Sequence, residues 1–392
     1  MNKMINPSVT TGRRLMALDV HRGLIIILMA IDHASYFIAR VHSRELWGVS
    51  LPVYPDALWF WTRWVTHPCA TGFFLLMGIG MVFLADARRG AGWKEARITR
   101  FFIIRGFLLM LLQLVSENTA WMLGGMSAHA GAFVVRGGPM PGGGTGGMIY
   151  LGVLFALGGS LVFWAFMRRM SSWAVTAVSV AAILCTQVVT PGPDRAHRLY
   201  SPLITALLIP GYNNTFAVLY PVIPWLGVTG FGLLMGRLLQ RQLQKAVAVA
   251  LRAGIGLLAL FIVIRLAGGF GNLNVIPPGW MGFLNLVKYP PSLAFLTATL
   301  GLNLLFIASW GRLDAHIHST WNPLVLFGRT ALFFYLIHLW VYALLGLLFR
   351  NGAGLAVMYA FWLIGLAILY PLCYRYNRFK QKKPAGSLWR FF

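Results

Sequence analysis

The stretch LDVHRGLIIILMAIDHASYF, residues 18–37, has the length and apolarity of a membrane span, yet it carries Asp19, His21, Arg22, Asp32 and His33. Ionisable side chains are costly inside a bilayer, so they are rare there and functional by default. Ten residues separate Arg22 from His33. The eleven helical steps between them return to within about 20° of the start, about 16 Å further along the axis. Asp19, Arg22 and His33 are therefore expected on one face, with a guanidinium towards one end and an imidazole towards the other. A histidine beside a carboxylate is the usual general base for deprotonating an amine or hydroxyl, and it can also accept an acyl group transiently. A metal site would need three or four convergent ligands. His33, His67 and His338 could converge, but no HxxxH or HExxH spacing supports it, and no metal is expected.

The elements that must position these residues are membrane helices. The chain has 392 residues, 58% hydrophobic and 11% charged, with a mean hydropathy of +0.71, which places it among polytopic membrane proteins. Apolar runs bounded by basic or Pro/Gly segments predict about ten spans: 17–38, 64–86, 101–122, 147–167, 173–190, 215–236, 248–267, 293–310, 325–348 and 354–373. An eleventh, re-entrant or broken piece fits around 199–212. The fold class is thus an all-α transmembrane bundle of 10–11 spans. A cytoplasmic tail (1–16) precedes the membrane domain (17–373), and a basic tail (374–392) follows it. The first run is interrupted by charge, and no small-residue cleavage site follows it. It is expected to stay as the first helix.

Of the 33 Lys+Arg, 22 fall in one set of alternating connections and 9 in the other. The positive-inside rule then puts both termini in the cytoplasm. This topology sorts the polar residues by depth. Asp32, His33, His67, Glu117, Tyr335 and His338 fall towards the outer side, and Asp19, Arg22, Arg105 and Arg329 towards the inner side. Such a set is suited to one shared cavity connecting the two faces. The formal charge of +24 would suggest nucleic acid in a soluble protein. Here the bases cluster at span ends, where orientation and anionic lipids select them, and nucleic acid is excluded as a partner. Cys69, Cys185 and Cys373 form no paired framework. The stretch 124–147 is dense in Gly and Pro and reads as an external loop. The prolines of YPVIPWLG (220–227) and KYPPSLAFLTATLG (288–301) cap helix starts or hold backbone open to line a cavity.

Five blocks in order resemble the heparan-α-glucosaminide N-acetyltransferase-like membrane proteins of the transmembrane acyltransferase superfamily. They are RLMALDVHRGLIIILMAIDH (14–33), THPCATGFFLLMGIGMVF (66–83), YPVIPWLGVTGFGLLMGR (220–237), KYPPSLAFLTATLG (288–301) and FGRTALFFYLIHLW (327–340). The Arg22-to-His33 spacing also resembles the Arg–ten residues–His motif of the acyltransferase-three branch, in which the histidine is taken as the base. The resemblance implies transfer of an acyl group, commonly acetyl, from cytoplasmic acyl-CoA to a sugar amine or hydroxyl across a bacterial-type inner (plasma) membrane. Acyl-CoA would be a co-substrate, its phosphates near Arg22, Arg105 and Arg329. His33, oriented by Asp32 or Asp19, would be the base. The glucosaminide branch instead nominates a histidine about ten residues later, a position that His42 offers here. His67, Glu117, Tyr335 and His338 would line the acceptor cavity. The implied partners are a sugar or glycan acceptor and membrane lipids, with room for a homodimer. The competing class is a small-molecule or lipid-linked-sugar transporter or flippase using the intramembrane His/Asp as a proton relay. No inverted repeat of charges or prolines supports it.

Overall fold

A computed structural model describes residues 15–41, 45–128, 149–192, 200–212, 216–313, 322–384 and 386–390. The helices in chain order are α1 (Met16–Ala34), α2 (Ala57–Trp64), α3 (Pro68–Gly90), α4 (Glu95–Leu112), α5 (Asn118–Met126), α6 (Val153–Met167), α7 (Ser172–Val189) and α8 (Pro202–Leu207). They continue as α9 (Val222–Arg241), α10 (Leu243–Ala267), α11 (Gly279–Leu284), α12 (Leu293–Leu313), α13 (Pro323–Arg329), α14 (Ala331–Gly346) and α15 (Leu355–Gln381). Seven helical rods are long and apolar enough to cross a membrane, and the bent pair α13–α14 makes an eighth. α6 and the Leu293–Ser309 part of α12 are apolar but shorter. A helix therefore stands at each of the ten expected ranges, while length alone gives seven or eight crossings. The chain is a polytopic all-helical bundle.

Burial separates an inner group from an outer ring. α1, α3 and α9 are mostly buried, whereas α7, α10 and α15 are mostly exposed yet apolar. Apolar side chains on all sides are what a lipid-facing helix needs. α1 packs backbone to backbone on α13. A Cβ at Gly23 would stand 1.9 Å from the Leu324 carbonyl oxygen, and one at Gly328 only 1.8 Å from that of Asp19. Small residues permit this approach.

Three departures from the expected elements matter to the site. The ninth span is broken: α13 and α14 meet at Thr330 with a bend of 100°. The stretch 199–212 holds the six-residue α8 rather than a membrane segment. A small sheet also joins β1 (Ile149–Leu151), β2 (Gly211–Tyr212) and β3 (Phe216–Val218) in the order β1-β3-β2. β1 runs parallel to β3 with Tyr150 opposite Ala217, and β2 is antiparallel to β3. The last helix also continues past 373 to Gln381. Of the Gly-rich stretch 124–147, residues 129–147 lie outside the described residues, as do residues 1–14 and His42.

Arg40 closes one end of the bundle. It is fully buried and left-handed, with φ of 57°. Its guanidinium donates to the carbonyls of Gly124 (2.7 Å), Gly346 (2.8 Å) and Phe349 (3.0 Å) and to Ser127 Oγ (3.0 Å). One side chain thus satisfies orphan acceptors at the ends of α5 and α14.

Candidate functional site

α1 is the axis of the site. Arg22 near its start lines a cavity of about 370 Å³, which also takes Arg105 from α4, Arg329 from the end of α13, Lys380 from α15 and Arg390. The bend at Thr330 leaves Arg329 at the cavity wall, and Lys380 Nζ donates to the Arg329 carbonyl at 3.3 Å. Among the described residues no carboxylate lines this cavity. Asp19 stands behind it, its Oδ1 3.3 Å from Arg22 Nη1 and its Oδ2 3.5 Å from Arg329 Nε. Arg105 makes no ion pair among the described residues. The remaining walls are apolar, including Leu76, Met77 and Leu157.

His33, near the other end of α1, lines a second and smaller chamber of about 50 Å³. Asp32, Glu117, Tyr150, Tyr220, Lys288 and Tyr335 also line it. Phe73 and Tyr335 belong to both cavities, so the two meet there. Their rings stand edge to face, 6.4 Å apart. Glu117 accepts from Trp121 Nε1 at 3.3 Å.

His33 and His338 are partners. His33 Nδ1 stands 2.5 Å from His338 Nε2, and the rings stack at 4.8 Å. His338 Nδ1 stands 3.0 Å from the Phe334 carbonyl. A carbonyl only accepts, so Nδ1 of His338 carries that ring's proton and Nε2 is its acceptor. His33 Nδ1 must then donate. This places the lone pair of neutral His33 on Nε2, which is the state of a general base. His338 acts on the tautomer of His33 rather than as an independent cavity histidine.

A buried ion network supports the chamber from one side. Arg63 on α2 is bidentate to Glu45, Nε to Oε1 at 2.8 Å and Nη2 to Oε2 at 2.6 Å. The same guanidinium holds Asp32. His67 belongs here as well: its Nδ1 donates to the Trp64 carbonyl at 3.0 Å, and its Nε2 stands 3.2 Å from Glu45 Oε1. His67 therefore backs the Glu45 loop, and among the described residues it does not join His33 and His338 around one point. Asp56 caps α2 by accepting from the amides of Leu58 and Trp59, which fixes the helix that presents Arg63.

The expected residues thus fall into two groups and a support. Arg22, Arg105 and Arg329 share the cationic cavity. Asp32, His33, Glu117 and Tyr335 share the small chamber, with His338 behind His33. Asp19 and His67 stand in the supporting ion pairs. Sequence reasoning missed Glu45 altogether, and it counted Arg63, Lys288, Lys380 and Arg390 only as loop or tail charges. A charge inside the aromatic run LWFWTRW was the available sign for Arg63.

The fold and site together are a helical membrane bundle in which a cationic cavity lies next to a smaller chamber that holds an oriented imidazole. The chain matches the family model described as heparan-alpha-glucosaminide N-acetyltransferase, catalytic, over residues 14–265, and it belongs to that family. Membership places it among membrane proteins of acetyltransferase type. The match spans α1 to α10, so Lys288, Arg329, Tyr335 and His338 lie beyond it. No curated protein matches the chain.

Proposed function

We propose that the protein transfers an acyl group, acetyl in the first instance, from cytoplasmic acyl-CoA to a sugar amine or hydroxyl at the outer face of a bacterial-type inner membrane. The observation that carries this reading is the meeting of the two cavities at Phe73 and Tyr335. A cationic cavity suits the donor's phosphates, because a guanidinium offers them paired N–H donors. Its apolar walls suit the pantetheine arm, and the thioester would pass the Phe73–Tyr335 neck to reach His33. His33 Nε2 takes the acceptor's proton as the acceptor's nitrogen or oxygen bonds to the carbonyl carbon. The C–S bond then breaks, and the thiolate receives the proton from His33. The primary test is purified protein with acetyl-CoA. Acetyl transfer to glucosamine, or slow thioester hydrolysis, supports the reading. A protein showing neither is not an acyltransferase.

Donor binding should depend on Arg22. Titration of a non-hydrolysable acetyl-CoA analogue is expected to show Arg22→Ala weaker than wild type by about tenfold or more, the worth of one hydrogen bond to a charged group. Arg22→Lys should fall between them, since lysine keeps the charge but loses the fork. If an Asp19→Asn/Arg22→Gln double mutant folds and binds the analogue as tightly as wild type, Arg22 serves only its ion pair with Asp19. The donor site would then rest on Arg105 and Arg329.

The orientation is a separate commitment. On intact cells, with Cys185 replaced, an impermeant thiol reagent should label single cysteines introduced at 268–290 and leave those at 87–100 unlabelled. Labelling of the 87–100 loop would turn the protein over and put the cationic cavity on the wrong side for cytoplasmic acyl-CoA.

A further inference from the structure

Lys288 is 4% exposed, and its side chain lines the small chamber beside His33. Among the described residues its ammonium makes no hydrogen bond and no ion pair. Its recorded neighbour is the Tyr289 ring, with Nζ 5.2 Å from the centroid. The two carboxylates of the chamber are engaged elsewhere: Asp32 with Arg63, and Glu117 with the Trp121 indole. The side chain is buried, but its ammonium is not among the fully enclosed unpaired nitrogens and faces the chamber.

The backbone nonetheless holds Lys288 in place. Its amide donates to the Glu45 carbonyl at 2.9 Å, the Tyr289 amide to the same carbonyl at 3.0 Å, and the Trp47 amide to the Tyr289 carbonyl at 2.9 Å. The segment it leans on is itself anchored by the Glu45–Arg63 pair. The lysine stem therefore springs from a pinned loop, and among the described residues no carboxylate pairs directly with its ammonium.

The size of the chamber says what the charge is for. A volume of about 50 Å³ admits a few water-sized groups. A whole anionic sugar does not fit, and a reacting acyl group does. The negative charge that must appear in such a space is the one that develops on the acyl carbonyl oxygen. The geometry points to Lys288 as the catalytic residue that stabilises this oxyanion. The inference rests on the acyltransferase reading above. As the acceptor atom bonds to the carbonyl carbon, the carbonyl π pair moves onto oxygen and is held by the Lys288 ammonium. The pair returns when the C–S bond breaks, and the thiolate leaves with the proton His33 had taken. A preorganised donor in a water-poor site is the arrangement that makes such stabilisation large.

The test reads the carbonyl directly. Acetonyl-CoA, the methyl ketone counterpart that cannot transfer its acyl group, carries a ¹³C-labelled carbonyl. Its infrared stretch is compared free, bound to wild type, and bound to Lys288→Met and Lys288→Arg. The expected result is a downshifted stretch in wild type, loss of the shift in Lys288→Met and partial recovery in Lys288→Arg. With acetyl-CoA and glucosamine, Lys288→Met should lower kcat by about 10²–10³-fold with little change in KM for acetyl-CoA. Its thermal stability should stay near that of wild type, because no direct hydrogen bond or ion pair of the side chain is lost. A merely structural lysine would lower stability instead. An unshifted carbonyl in wild type, or the same shift in Lys288→Met, overturns the inference alone. So does a Lys288→Met enzyme with normal kcat and a raised KM for glucosamine, which would make Lys288 an acceptor anchor. Failure of wild type to bind acetonyl-CoA at all overturns the acyl-CoA reading together with this inference.

Discussion

Replacing His33 with alanine is expected to slow acyl transfer by about 10²–10⁴-fold, the usual worth of a positioned general base, while the protein still inserts and folds. The expectation rests on the chain Phe334 carbonyl, His338, His33, in which each hydrogen bond fixes the next ring's tautomer. Phe replacing His338 should cost less. It removes the partner that orients His33 but leaves the lone pair in place, so kcat should fall with little change in donor KM. Rates of acetyl transfer, with monodispersity in detergent as the folding control, decide the matter. Near wild-type turnover in His33→Ala, with loss in His42→Ala, would move the role to His42.

Arg63→Met should be the most damaging substitution for stability. Arg63 bonds two carboxylates, Asp32 and Glu45, and Glu45 is completely buried. Removing one partner of a buried pair leaves an uncompensated charge and costs about 3–5 kcal/mol. The pH dependence gives the sign. Burial by itself would raise the Glu45 pKa, but the Arg63 guanidinium and the His67 imidazole outweigh it and hold the carboxyl well below the usual range. A group with a depressed folded pKa contributes stability fully above its unfolded value, about 4.3, and loses it as pH falls through the folded value. Wild type should therefore show no acid loss from this group between about pH 5 and 8. In Arg63→Met the burial cost dominates, Glu45 titrates high, and the thermal midpoint should rise as pH is lowered from 8 to 5. A variant with the wild-type midpoint at pH 7 and a flat pH profile would remove the network from its supporting role.

The sequence made the local features of the site legible and hid the distant ones. Apolar runs of bilayer length marked a helix at each of the ten expected ranges, because length and composition are local signals. The one-face relation of Arg22 and His33 followed from the helical period, and the two residues line adjacent cavities, Arg22 the cationic one and His33 the small chamber. The bend at Thr330 was not visible, because FGRTALFFYLIHLW reads as one apolar run. α13 lies against α1 through Gly23 and Gly328, a distant contact that no local pattern reveals. Neighbouring residues on a helix point about 100° apart, so Asp32 reaches Arg63 on α2 while His33 reaches His338 on α14. The second of these partnerships crosses most of the chain, and no spacing rule connects its members. The three short strands were missed because two or three residues carry too little pattern to read.

On the proposed acyltransferase reading, the small chamber would also work as a ruler for cargo. Its volume of about 50 Å³ beside the Phe73 and Tyr335 rings has room for a two-carbon acyl group. A longer tail would have to fold back through the neck or force those two rings apart. Acyl-length preference is then written in the girth of two aromatic side chains. Shaving Phe73 down should widen the menu of acyl donors without touching the groups that handle the proton.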